Sequence, residues 1–149
     1  MDVRAILKQK SRPVYTVTID QTVEDAVNLM VAEKASALIV IDKGQPVGIF
    51  NERDVFRYYL LNRKSAFSDI KIQSAVTGRF ISAATTDEIT DLITVMIKSD
   101  LDHLAVIEDD NIYGLLALKD LVEFQQSSLT QEIHQLKDYI DDLHEAGQD

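Results

Sequence analysis

The sequence predicts a mixed α/β fold of the α+β kind, made of two copies of one β-α-β-β-α unit followed by a C-terminal helix. Three observations predict it. The first is internal repetition: Gly48 and Gly114 stand 66 positions apart, as do Asp54 and Asp120, Met30 and Met96, and Val40-Ile41 and Val106-Ile107, with no gap. The second is helical periodicity that shifts by the same amount. Val23, Ala26, Val27 and Met30 recur as Ile89, Leu92, Ile93 and Met96, each set spaced i, i+3, i+4, i+7. The third is a pair of short branched apolar runs after these helices, residues 37–41 and 103–107, each followed by turn chemistry.

Taken in order, each unit opens on a short leading strand, residues 14–19 and 80–84. The first helix follows, with Asp20 and Thr86 as the expected N-caps, since either side chain accepts from an unpaired N–H of the first turn. The apolar runs are too short for helices and read as buried strands. Asp42-Lys43-Gly44 and Asp109-Asp110-Asn111 supply turns, and residues 47–50 and 112–116 return as the second arms of hairpins. Terminal helices are expected at 55–62 and 121–126. A unit of about 60 residues buries too little surface to be stable alone, so the two are expected to share an apolar face. The resulting division is residues 1–66, 67–126 and a C-terminal amphipathic helix at 127–149. Met30 and Met96 are read as core rather than as ligand contacts.

In that last segment Leu129, Ile133, Leu136, Ile140 and Leu143 follow at spacings of 4, 3, 4 and 3. Such a seam must bury against the protein's own body or against another protomer, and a homodimer is the expectation.

Composition narrows the function. The chain has 149 residues, of which 46% are hydrophobic, a formal net charge of −10, and no cysteine. The charge opposes nucleic acid and anionic membranes. The missing cysteine removes disulfides and thiolate chemistry, and with no signal-like start and no apolar run long enough for a membrane span the expected location is the cytoplasm. Arg4, Lys8, Lys10 and Arg12 form a basic N-terminal stretch, read as a solvated segment unless it borders a site. His134 and His144 are ten apart and cannot share a helix face, and the paired acids at 109–110 and 141–142 lack calcium-loop spacing. No metal site, phosphate loop, or nucleophile with a base is recognisable, so no catalytic residue is assigned and the chain is expected not to be an enzyme.

The segment Ala37-Leu38-Ile39-Val40-Ile41-Asp42-Lys43-Gly44-Gln45-Pro46-Val47-Gly48-Ile49-Phe50-Asn51-Glu52-Arg53-Asp54, with its weaker copy over residues 103–120, resembles the CBS domains, named for cystathionine beta-synthase. The resemblance covers residues 3–126. It implies two repeats related by a pseudo-twofold axis, with two clefts that in many members hold AMP, ADP, ATP or S-adenosylmethionine, a regulatory role exerted on a protein partner, pairing into disc-like dimers, and no required cofactor.

The family pattern places an Asp at the terminal helix, and an ionised Asp offers two acceptor oxygens to the vicinal hydroxyls of a ribose, which makes Asp54 and Asp120 the ribose candidates. A first-turn Asp is also favourable with no ligand, through capping and the helix dipole, and Asn51 with Asp54 reads as a capping-box pair. The pattern's hydroxyl position is Asn51 in one copy and Ala117 in the other, so one phosphate contact is altered and one is missing, and a ligand-free dimerisation and protein-interaction module stands as the alternative reading. A phosphate would then rely on Asn51, Arg53, Lys119 or Arg12, each of which reads equally as a solvated surface group.

Overall fold

In the computed structural model, residues 1–9, 13–75 and 80–147 are described. Two three-stranded sheets form, ordered β1-β2-β3 and β4-β5-β6. In the first, β1 (Thr16–Thr18) lies parallel to β2 (Ala37–Asp42), and β2 pairs antiparallel with β3 (Gln45–Asn51). In the second, β4 (Ser82–Ala83), β5 (His103–Glu108) and β6 (Asn111–Ala117) repeat the arrangement. The repetition reaches the register itself: Leu38 faces Phe50 and Val40 faces Gly48, while Leu104 faces Leu116 and Val106 faces Gly114, with a bulge after Val40 and another after Val106.

Both hairpins close through two-residue loops. Lys43 (φ 51°) and Gly44 (φ 79°) match Asp109 (φ 50°) and Asp110 (φ 63°). Positive φ at both central positions gives a turn whose twist suits the flanking strands, and the second loop is therefore Asp109-Asp110, with Asn111 already in β6.

The parallel strands are joined by α2 (Val23–Glu33) and α5 (Ile89–Lys98), as parallel pairing demands. Their N-caps differ from those expected. Thr22 caps α2 in a capping box with Asp25, and Glu88 stands at the start of α5 with no side-chain cap bond. The expected Asp20 and Thr86 lie two residues too early, because the chain first makes backbone contacts to a leading helix before it coils. The leading strands are also shorter than predicted.

That leading helix, α1 (Val3–Gln9), stands where the sequence predicts a solvated basic stretch. Val3 and Ile6 are fully buried, and they pack into the core of the second unit with Leu92, Met96, Leu104, Val106 and Leu121. Backbone bonds fix it there, from Val3 N–H to Asp87 O at 3.0 Å and from Arg4 N–H to Thr85 O at 3.2 Å. The counterpart is α4 (Ile72–Ala75), where Ile72 N–H meets Gln21 O at 2.8 Å and Gln73 N–H meets Ile19 O at 3.2 Å. Fully buried Ile72 joins Val17, Leu38, Val40, Phe50 and Tyr58 in the core of the first unit. The Tyr58 hydroxyl ties its own helix to this segment by donating to the Ser74 carbonyl. The N-terminal helix therefore completes the second core, across the sequence division at 66/67.

The terminal helices are α3 (Glu52–Leu61) and α6 (Leu118–Ala146). Each begins three residues before the predicted start. The second does not stop near residue 126: it runs unbroken for 29 residues, since no Gly or Pro interrupts it. Leu121 and Phe124 bury its first turns, whereas Leu129, Ile133, Leu136, Ile140 and Leu143 are between 53% and 65% exposed. The chain's own body leaves the seam uncovered.

Candidate functional site

The two units meet where β2 and β5 begin. Ser36 Oγ and His103 Nε2 lie 3.1 Å apart across this junction. Two backbone bonds 66 positions apart frame it, from Glu52 N–H to Ser36 O at 3.3 Å and from Leu118 N–H to Asp102 O at 2.8 Å. Between them opens a cavity of about 360 Å³, lined from one unit by Ser36, Asn51, Glu52, Arg53 and Phe56, and from the other by Asp102 and His103. This falls in the size range of small-molecule sites. Phe56 presents a 67% exposed ring that can take a flat heterocycle on its face.

Arg53 spans the junction. Its guanidinium donates to Asp102 Oδ2 at 2.5 Å and to Asp100 Oδ2 at 3.2 Å. Asp100 is held at φ 53°, in the left-handed region that Asp tolerates better than most residues. Among the described residues lining the cavity, Glu52 and Asp102 are negative and Arg53 is positive, so these groups carry excess negative charge.

The predicted ribose residues are placed as follows. Asp54 sits in the first turn of α3, where Oδ2 accepts from Asn51 N–H at 2.9 Å while Asn51 Oδ1 accepts from Asp54 N–H at 3.0 Å. The capping box read from sequence is therefore formed. Oδ1 accepts from Arg57 at 2.8 Å. Each carboxylate oxygen keeps a second lone pair, so this pairing leaves acceptor capacity for a ligand hydroxyl. Burial raises the Asp54 carboxyl above its ordinary value, against the opposing pull of the Asn51 N–H, Arg57 and Arg53. Asp120 occupies the equivalent turn of α6 and is 4% exposed, but Ala117 before it gives no side-chain cap.

Among the phosphate candidates, Asn51 and Arg53 line the inter-unit cavity, with Arg53 already engaged by two acids. Lys119 is exposed and stands 3.9 Å from Glu123 of its own helix. Arg12 and Lys10 lie outside the described residues. Asp54 and Asp120 themselves are not among the residues lining the cavity. Ser36, Phe56, Asp100 and Asp102 were not foreseen. Their one sequence signal is position: Ser36 and Asp102 are 66 apart, each just before a buried strand. Among the described residues no group of three or more acidic or histidine side chains suits a metal ion, and no helix is long and apolar enough to cross a membrane.

Comparison with known proteins is consistent with this geometry. The family model for the CBS domain matches twice, over residues 3–61 and 69–127. The CBS domain-containing protein CBSX3, mitochondrial, of Arabidopsis thaliana is 27% identical over 128 residues, which is 83% of this chain and 62% of that protein. The chain thus spans less than two thirds of that relative. A solved protein with CBS domains from Burkholderia ambifaria superposes with a TM-score of 0.75 at 29% identity, covering 83% of this chain and 92% of that one. The CBS domain pair of protein MJ0100, solved with 5'-methylthioadenosine and S-adenosyl-L-methionine, superposes with a TM-score of 0.72 at 19% identity over 86% of this chain and 98% of that one, a likeness of fold.

Proposed function

The chain belongs to the CBS-domain family, whose pairs are regulatory modules, and from that premise we propose that it binds an adenosine-containing ligand between its repeats and passes the binding event to a protein partner without catalysis. The observation that carries the reading is the cavity at the inter-unit junction, which gathers Asn51, Arg53 and Phe56 from one repeat and Asp102 and His103 from the other. A ligand there touches both units, so it favours one mutual orientation over another, which is the requirement for a switch. The fold is known to accept such molecules in protein MJ0100, which was solved with two adenosyl compounds.

Charge orders the candidates. Asp100 and Asp102 engage the Arg53 guanidinium and Glu52 lines the same cavity, so from these described groups a polyphosphate meets repulsion that a cationic sulfonium does not. Within the adenosyl class, S-adenosylmethionine is favoured over AMP, and AMP over ATP. The chain acts as a homodimer, because the exposed seam of α6 is left without a cover by its own body.

The test is a thermal-shift series with S-adenosylmethionine, AMP, ADP and ATP. A ligand at 100 times its dissociation constant stabilises the folded chain by about 2.7 kcal/mol. No shift with any of the four at millimolar concentration contradicts the reading.

A further inference from the structure

Every described residue from Leu129 to Gly147 is exposed; Leu129 and Glu132 still line a pocket beside Met1 and Ile89, and beyond them α6 projects from the body as a free helix about 21 Å long. A bare apolar stripe on a lone helix is not stable in water by itself and calls for a cover. The residues on this stripe specify which cover. Set in heptads, Ile133 and Ile140 fall at a, and Leu129, Leu136 and Leu143 at d. β-Branched residues at a with leucine at d pack best in a two-stranded parallel coil.

The flanking charges point the same way. Glu132 falls at g and Lys137 at the following e. In a parallel pair, g of one helix lies beside the next e of its partner, so Glu132 of each copy meets Lys137 of the other, twice by symmetry. In an antiparallel pair g faces g and e faces e, and these two residues never meet. Among the described residues neither has an ion-pair partner within the chain. The remaining acids of the segment, Asp138, Asp141, Asp142 and Glu145, fall at f, b, c and f, on the outer face away from the seam.

We infer that the projecting end of α6 forms a parallel two-stranded coiled coil with the same segment of a second copy, in register. The inference rests on the homodimer reading above and adds its contact surface and polarity. It places the two bodies on the same end of a shared stalk, so that a change in either body's inter-repeat junction is delivered to the partner through one continuous helix that starts at Leu118 beside Asp102.

The chain has no cysteine, which makes single-cysteine probes clean. Leu136→Cys and Leu143→Cys place a thiol at d, and Asp138→Cys places one at f as a control. All three positions are exposed, so the body folds in each variant. Under mild oxidation of the full-length variants, both d variants are expected to become interchain disulfide dimers and the f variant to remain reduced. An antiparallel coil permits a homotypic bond at no more than one of the two d positions. Cross-linking at one alone, at neither, or equally at Asp138 overturns the inference.

Sedimentation of the unmodified chain separates the two levels. A monomer overturns the homodimer reading together with the coil, whereas a dimer that survives Ile140→Asp overturns the coil alone. Glu132→Lys and Lys137→Glu are each expected to weaken the dimer about fivefold, the sum of two symmetric exposed pairs. The double exchange is expected to return it to within about twofold of the original. A double variant weaker than either single one rules out the parallel pairing.

Discussion

Arg53, in the first turn of α3 of one repeat, donates to the carboxylate of Asp102 at the start of the other repeat's strand β5, 2.5 Å away. Asp100 adds a second acceptor at 3.2 Å. All three side chains are about half exposed or more, so the cluster contributes little to stability, about 1 kcal/mol or less for an exposed pair. Its consequence is positional: it links the two units at the rim of the cavity and engages the only cation that lines the cavity among the described residues.

Because Arg53 is shared between acids and any anionic ligand, substitutions of Arg53 and of Asp102 are expected to act in opposite senses. Arg53→Ala should lower stability by only about 0.2–1 kcal/mol while weakening AMP binding. Asp102→Asn should tighten AMP by releasing the guanidinium and removing a negative charge. Calorimetric titration of both variants checks this, and equal effects on AMP from the two would contradict it.

Asp54 gives a pH signature. Its folded-state carboxyl holds a proton more tightly than an unfolded one, because burial disfavours the charged form. The group therefore favours folding most at acidic pH, below the ordinary carboxylate value, and that contribution is lost as pH rises through the raised folded value. Asp54→Asn cannot titrate. The stability of the natural chain relative to this variant is expected to fall as pH rises from below the ordinary carboxylate value through the raised folded one. Denaturant melts across that range measure it, and a difference that stays flat or rises would be the wrong sign.

The exchange of leading helices makes a prediction that the order of the sequence would not suggest. Ile6→Ala removes a fully buried side chain and should cost about 2–5 kcal/mol. The loss should register as faster hydrogen exchange in β5 and β6, whose core Ile6 completes, and not first in β2 and β3. Exchange that rises first in β2 and β3 would contradict the packing.

At Gly44, φ is 79° and an added Cβ meets open space, so the cost of Gly44→Ala is conformational alone. About 1–2 kcal/mol is expected from the left-handed backbone. Urea unfolding with an unchanged slope would report it cleanly.

Much of this fold is legible because it is local and repeated. The offset of 66 carries the hairpin register, the bulges and the two amphipathic helices, each of which depends on neighbours within a few residues. The leading helices escape it because they repeat at a different offset. Val3 bonds to Asp87 as Ile72 bonds to Gln21, so the equivalent residues are 69 apart while their acceptors are 66 apart. Three extra residues hide the correspondence, and short helices such as α4 carry too little periodicity to stand out.

The continuous α6 differs from the expected helix at 121–126 followed by a separate one at 127–149 for the converse reason: the repeat ends there in sequence, yet nothing breaks a helix whose first turns are anchored by Leu121 and Phe124. At the site, the pairing of Asn51 with Asp54 is legible since it spans three residues. The reach of Arg53 to Asp100 and Asp102 spans 47 and 49 positions and follows only from how the two units meet.

The central claim, that an adenosyl compound occupies the space between the repeats, is tested most directly by native mass spectrometry of the full chain mixed with S-adenosylmethionine or AMP. One or two adducts per chain are expected, with occupancy reduced by Phe56→Ala for either compound and by Arg53→Ala for AMP. Spectra showing only the bare chain, or adducts that persist at full occupancy in both variants, would contradict the account.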